Sequence, residues 1–190
     1  MRGIDRVVTD AARVFSTLRL RYAVVGGVTS SLLGRPRSTF DVDVVVDVRP
    51  EHAVRLARAF RARRYRVDPR DVVDALREHG HFSIFDTRSE YRIDAKGVYG
   101  DLQRWTLQDR RRIRLGRSYV YLDAPENLIV AKLLFGSEQD IGDAEAVYAR
   151  HRGRLNVRRI AARAKSLGVR REWAALRNRS STRPPKSGRP

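Results

Sequence analysis

Apolar residues recur at Ile4, Val7, Val8, Ala11, Ala12, Val14, Phe15 and Leu18, so residues 3–19 are predicted to form an amphipathic helix. Tyr22-Ala23-Val24-Val25 is a short apolar run stopped by Gly26-Gly27 and reads as a buried strand. Val28 to Leu33 reads as a short helix ended near Gly34, and 35–40 as a loop containing Pro36. Asp41 to Val48, DVDVVVDV, is the clearest strand in the chain because valine's branched Cβ suits a pleated sheet. Pro50-Glu51 opens a helix that runs to about Arg63. Asp71 to His79 follows as a helix, then strands at His81–Phe85 and Tyr91–Lys96, then a helical turn over 101–108. Arg110–Leu115 and Tyr119–Leu122 form a hairpin around Gly116-Arg117. From Pro125 the pattern turns helical, over 125–136, 138–151, 156–168 and 170–178. This order, mixed first and helical last, predicts an α+β protein with a mixed sheet and flanking helices over 1–124 and a C-terminal helical region over 125–178. The polar, Pro-rich stretch 179–190 is expected to be a basic, disordered tail.

Charge adds a second layer. The net charge is +18, carried by 36 arginines and only 4 lysines, and residues 151–190 alone carry +12. A smaller basic knot is Arg110-Arg111-Arg112 with Arg114 and Arg117. Guanidinium forks match phosphate geometry, so a polyanionic partner is one reading; the other is an arginine-rich surface that serves solubility. A hydrophobic content of 42% provides for a core and excludes wholesale disorder. No run approaches the roughly 18 apolar residues of a membrane span, so no membrane partner is expected. The N-terminus shows no apolar run with a cleavage site, so a cytoplasmic location is expected. The absence of cysteine excludes disulfides, zinc-thiolate sites and thiol catalysis.

Candidate chemistry lies in Gly26-Gly27, Asp41-Val42-Asp43 and Asp94. Alternation along a strand puts Asp41 and Asp43 on one face and Val42, Val44 and Val46 on the other. Two carboxylates on one face call for a cation, and Mg²⁺ with phosphate oxygens suits them. In Tyr91-Arg92-Ile93-Asp94-Ala95, Ile93 and Ala95 can face inward while Arg92 and Asp94 face the acids. If the two strands are neighbours, three carboxylates converge and can hold two metal ions. Gly26-Gly27 between strand and helix allows backbone to approach a phosphate closely, with Thr29, Ser30 and Ser31 adding hydroxyls in the helix's first turn.

The stretch VVGGVTSSLLGRPRSTFDVDVVVD resembles the nucleotidyltransferases of the DNA polymerase beta superfamily, and within it the toxin-type branch of abortive-infection and toxin–antitoxin systems. Gly26-Gly27, Arg37 with Thr39, and Asp41 with Asp43 stand where that branch has its Gly-Gly, Arg-x-Thr and Asp-x-Asp; Asp94 would be the third carboxylate. Lys132 in PENLIVAKLLFG, with Asp140 or Asp143 downstream, is similar to a later helical motif. The resemblance spans about residues 20–148, and the tail from 151 has no counterpart in it.

It implies the nucleotidyltransferase fold, with Asp41, Asp43 and Asp94 as metal ligands and catalytic residues. Gly26, Gly27, Ser30, Arg37, Thr39 and Lys132 would bind the nucleotide. For Asp94 the alternative is a surface acid paired with Arg92 or Lys96, for Arg37 and Thr39 an ordinary solvated loop, and for Lys132 a snorkelling lysine. Asp140 and Asp143 would orient Lys132, or equally cap the 138–151 helix. His52, His79, His81 and His151 lack a third ligand at zinc spacing and are read as structural. Trp105, Trp173, Tyr119 and Tyr121 are read first as packing residues, with base stacking as the alternative.

Three functions follow as expectations. The first is Mg²⁺-dependent transfer of a nucleoside monophosphate from an NTP to an acceptor hydroxyl, an RNA such as tRNA, in a toxin countered by an antitoxin protein. The second changes the acceptor to a protein or an aminoglycoside-like small molecule, which the positive charge disfavours. The third is a non-catalytic nucleic-acid-binding protein on the same fold.

Overall fold

The computed structural model describes residues 3–182. Among the described residues the chain folds into two compact units, one of 3–29 with 37–124 and one of 30–36 with 125–182.

The first unit is built on helix α1 (Ile4–Thr17), strand β1 (Tyr22–Val24), the start of helix α2 (Gly26–Leu33) and strand β2 (Asp41–Val46). A 3₁₀ turn (Pro50–His52) leads into α3 (Ala53–Arg61), β3 (Tyr65–Arg66), α4 (Pro69–Arg77), β4 (His81–Asp86) and β5 (Arg92–Lys96). Helix α5 (Asp101–Asp109) and the hairpin β6 (Arg111–Leu115) and β7 (Ser118–Leu122) complete it. The strands form one sheet in the order β3-β4-β5-β2-β1-β7-β6. It is mixed: β2 runs parallel to β5 and β1 to β7, and the other neighbours are antiparallel.

The valines explain β2's central place. Val42, Val44 and Val46 are buried, as are Val7, Val8 and Phe15 of α1. Phe15, Tyr22, Phe60 and Tyr65 continue the core as a chain of ring contacts at 5.3–5.6 Å. On the opposite face, Leu107 of α5 packs on Ala23 and Val45. Short polar caps set the boundaries: Asp68 accepts the Arg70 N–H at the start of α4.

The second unit holds α6 (Pro125–Phe135), α7 (Glu138–His151), α8 (Val157–Ser166) and α9 (Arg170–Thr182). Leu128, Ile129, Leu133, Val147, Ile160, Trp173 and Leu176 form its core, with Leu33 packed against it. Trp173 meets Tyr148 edge-on at 5.5 Å, so this tryptophan is a packing residue. His151 Nε2 lies 2.9 Å from the Leu33 carbonyl and Arg150 donates to the Gly34 carbonyl, which ties 30–36 to α7.

Several expectations change. Helix α2 begins at Gly26, two residues before Val28, because Gly26 at φ +60° takes a turn that a side chain would resist. Residues 101–108 form a full helix, held at its start by Gln103 accepting the Gly100 N–H. The two-residue strand β3 was not predicted, since two residues show no period. Residues 30–36, expected within the 1–124 core, group with the helices through Leu33 and Gly34. Of the expected disordered tail, 179–182 belong to α9, and 183–190 lie outside the described residues. Among the described residues, no helix is long and apolar enough to cross a membrane.

Candidate active site

The parallel pairing of β2 with β5 assembles the site. Its register sets Asp41 opposite Arg92 and Asp43 opposite Asp94. Residues two apart share a face, so four charged side chains from two strands stand on one face of the sheet. Asp43 and Asp94 are far apart in the chain, and only the strand pairing joins them.

Asp43 lies against the start of α2. A Cβ at Gly26 would fall 1.9 Å from Asp43 Oδ2, so only glycine leaves room for this carboxylate. Burial pushes the Asp43 carboxyl up, and the charges of Asp41 and Asp94 push it further; the Gly27 N–H bond and Lys96 oppose the rise. The Gly-Gly pair thus makes room for and bonds the Asp43 carboxylate, a contact the sequence does not announce.

Gly27 makes room for the next layer. A Cβ there would meet Thr39 Oγ1 at 3.0 Å and Arg37 Nη2 at 3.1 Å. Thr39 Oγ1 donates to Asp41 Oδ1 at 2.8 Å, which fixes that carboxylate's rotamer. Phe40 and Tyr91, which precede Asp41 and Arg92, stack at 6.4 Å with Phe40 exposed. The first unit therefore gathers Gly26, Gly27, Arg37, Thr39, Asp41, Asp43 and Asp94.

Asp94 is already engaged. Its Oδ1 accepts the Ser83 hydroxyl at 2.6 Å and its Oδ2 accepts Arg92 Nε at 2.8 Å. The expected alternative of an Arg92 pair and the expected place beside the acids are both present. Ser83 was missed; its signal was its position between Phe82 and Ile84 in an alternating strand.

The donor chemistry fits a hard divalent ion: carboxylate oxygens, with negative charge concentrated enough to raise Asp43. Asp41 and Asp43 are the pair that would hold it. Among the described residues no group of three His, Asp or Glu side chains is arranged as a metal site; Asp94, held by Arg92 and Ser83, is the member of the expected trio that would have to be released.

The other predicted residues have different surroundings. Thr29 Oγ1, buried, donates to the Val24 carbonyl at 2.8 Å and so closes the β1–α2 turn, not a phosphate contact. Ser30, counted in the second unit, has a buried hydroxyl with no hydrogen-bond partner among the described residues. In that same unit Lys132 is buried, with Nζ 2.6 Å from Asp140 Oδ1 and 3.0 Å from Asp143 Oδ2. Asp140 receives Lys132 and its Oδ2 accepts the Ser137 hydroxyl, while the cap of α7 is Ser137, whose Oγ accepts the Asp140 N–H. Burial raises the Asp140 carboxyl, but the bonds from Lys132 and Ser137 outweigh it and hold the group below the usual carboxylate range.

No family model matches the chain, and no curated protein matches it. Solved structures do. A nucleotidyltransferase-like antigenic protein from Paracoccidioides brasiliensis is similar at 18% identity and TM-score 0.55, over 91% of each chain. The antibiotic-resistance factor ANT(2'')-Ia in solution is similar at 11% identity and TM-score 0.59, over 95% of this chain and 98% of that one. The same factor in complex with adenylyl-2''-tobramycin is similar at 14% identity and TM-score 0.52, over 93% of this chain and 98% of that one. These likenesses establish the fold: the chain is an α+β protein with the nucleotidyltransferase fold.

Proposed function

We propose that the protein is a nucleotidyltransferase that moves a nucleoside monophosphate from an NTP to an acceptor hydroxyl. The observation that carries this reading is the convergence of Asp41, Asp43 and Asp94 on one sheet face beside the Gly26-Gly27 helix start. In the reaction the acceptor oxygen gives up its proton and attacks the α-phosphorus. The bond from that phosphorus to the β-bridging oxygen breaks, and pyrophosphate leaves. A pair of Mg²⁺ ions would neutralise the phosphate charge and acidify the acceptor hydroxyl. Asp41 and Asp43 would hold the metal–triphosphate, with Asp41 oriented by Thr39, and Asp94, once its bond to Arg92 is released, would complete the metal site and take the acceptor's proton. Arg37 meets phosphate oxygens beside Gly27.

For the acceptor we favour an RNA, such as tRNA. The hairpin supports this, with Arg112 over the Tyr119 ring at 4.7 Å and Arg110 over Tyr121 at 4.8 Å. Growth arrest relieved by a partner antitoxin is the physiological role that the resemblance in 24–47 suggests. A second reading, adenylylation of a small molecule, draws on the likeness to ANT(2'')-Ia; the +18 charge weighs against a cationic drug.

The test incubates the protein with each labelled NTP, Mg²⁺ and total RNA, protein or aminoglycosides. Label on RNA, lost in Asp43→Ala, is the expected result. Label on a drug alone would establish the second reading, and no transfer to any acceptor would refute both.

A further inference from the structure

We infer that Arg92 is a built-in counter-ion that occupies the acid cluster until a divalent metal ion displaces it. This rests on the reading of Asp41, Asp43 and Asp94 as metal ligands, and adds the residue that sets how tightly they take the metal.

The geometry is specific. Arg92 stands opposite Asp41 in the strand register and two residues before Asp94, so its side chain shares the face of all three acids. Its Nε bonds Asp94 Oδ2 at 2.8 Å, and its Nη2 lies 3.6 Å from Asp41 Oδ2. One guanidinium thus spans two of the three carboxylates proposed as metal ligands. The Asp94 oxygen it holds is one that a metal would need, because the other oxygen already accepts Ser83.

Exposure shows why the pair can open. The Arg92 side chain is 49% exposed, whereas that of Asp94 is 12% exposed. The arginine can return to water at little desolvation cost, while the acid stays in place. A doubly charged ion outcompetes a single charge for clustered carboxylates. In the metal-free protein Arg92 offsets the charge of Asp94 and Asp41; in the loaded protein it swings aside. A metal ion that takes up Asp94 therefore has to break this pair, which weakens the apparent affinity.

The prediction runs opposite to a structural role. If Arg92 merely braced β5, its loss would loosen the acids and weaken metal binding. As a competitor, its loss strengthens binding. The experiment measures Mn²⁺ binding to the full chain by the spin signal of free Mn²⁺, alone and with inorganic triphosphate, which carries no base preference. Arg92→Gln is expected to bind Mn²⁺ roughly tenfold more tightly than wild type, the scale of one close charge pair in a partly exposed site. Arg92→Lys keeps the charge without the fork and is expected to fall between them. Arg104→Gln, which removes a cation from the exposed pair with Asp101, is the control for net charge and should change nothing.

Unchanged or weaker binding in Arg92→Gln, with wild type binding normally, would overturn the inference alone. An equal gain in Arg104→Gln would overturn it too. If Arg92→Gln does not fold, Arg92→Lys decides by the same criterion: a gain supports the inference, and no gain overturns it. Absence of Mn²⁺ binding in all folded variants, with and without triphosphate, would overturn both the inference and the metal reading beneath it.

Discussion

Asp43 is the most constrained of the three acids. It faces the missing side chain of Gly26, and its carboxyl is lifted by burial and by two like charges. The charged form is therefore disfavoured in the folded state, so folding loses stability as pH rises from about 4, the ordinary carboxyl value, through the raised native one. Asp43→Asn removes that dependence. In metal-free buffer its melting temperature should exceed that of wild type by a margin that grows with pH across this window, read by calorimetry from pH 4 to 8. Its transfer activity should fall at least about a hundredfold, the upper end for losing even an outer partner of a metal ligand. Thr39→Val leaves Asp41 without its 2.8 Å hydrogen bond and should reduce activity about tenfold with the melting temperature nearly unchanged. Gly26→Ala places a Cβ on Asp43 and forces φ +60° on alanine. A loss of about 1–3 kcal/mol in chemical denaturation is expected, together with loss of transfer.

Elements impose a different logic. In the helical unit, Lys132 is buried on α6 and neutralised by two carboxylates of α7. Lys132→Met leaves those acids without their cation and should cost about 2–3 kcal/mol in urea denaturation, below the full buried-pair range because Asp140 is partly solvated. The depressed Asp140 carboxyl sets the pH behaviour. Its contribution is complete above about pH 4 and is lost as pH falls through the lower native value. Asp140→Asn should therefore be less stable than wild type at pH 7, with the difference closing in acid. A difference that stayed constant down to about pH 2 would contradict the assignment. The same scale explains which elements could be read from sequence. Helices with a clear apolar face and β2 with its valines announce themselves locally. β3 does not, because two residues form a strand only when β4 is there to pair with them.

For the whole molecule, charge is the quantity that matters. Arginines concentrate after residue 151, while the acids of the site are held together in the first unit. An RNA acceptor bound through guanidinium–phosphate contacts should lose at least tenfold in affinity between about 50 and 200 mM KCl. Ending the chain at Thr182 removes Arg183, Lys186 and Arg189 and should make that salt dependence shallower. A filter-binding series in KCl checks both, and an unaltered slope would take the tail out of the binding surface.

The sequence by itself determined the ingredients: Asp41 and Asp43 on one face, Gly26 and Gly27 before them, a valine-rich strand to carry the pair, and a helical C-terminal part. These follow from local rules, since alternation and helical periodicity need only near neighbours. Tertiary structure decided that Asp94 stands beside Asp43, that Ser83 and Arg92 divide its two oxygens, that Thr39 aims Asp41, and that 30–36 join the helices. Each is a long-range choice of partner or a short polar contact, settled by strand register and side-chain packing, on which periodicity is silent.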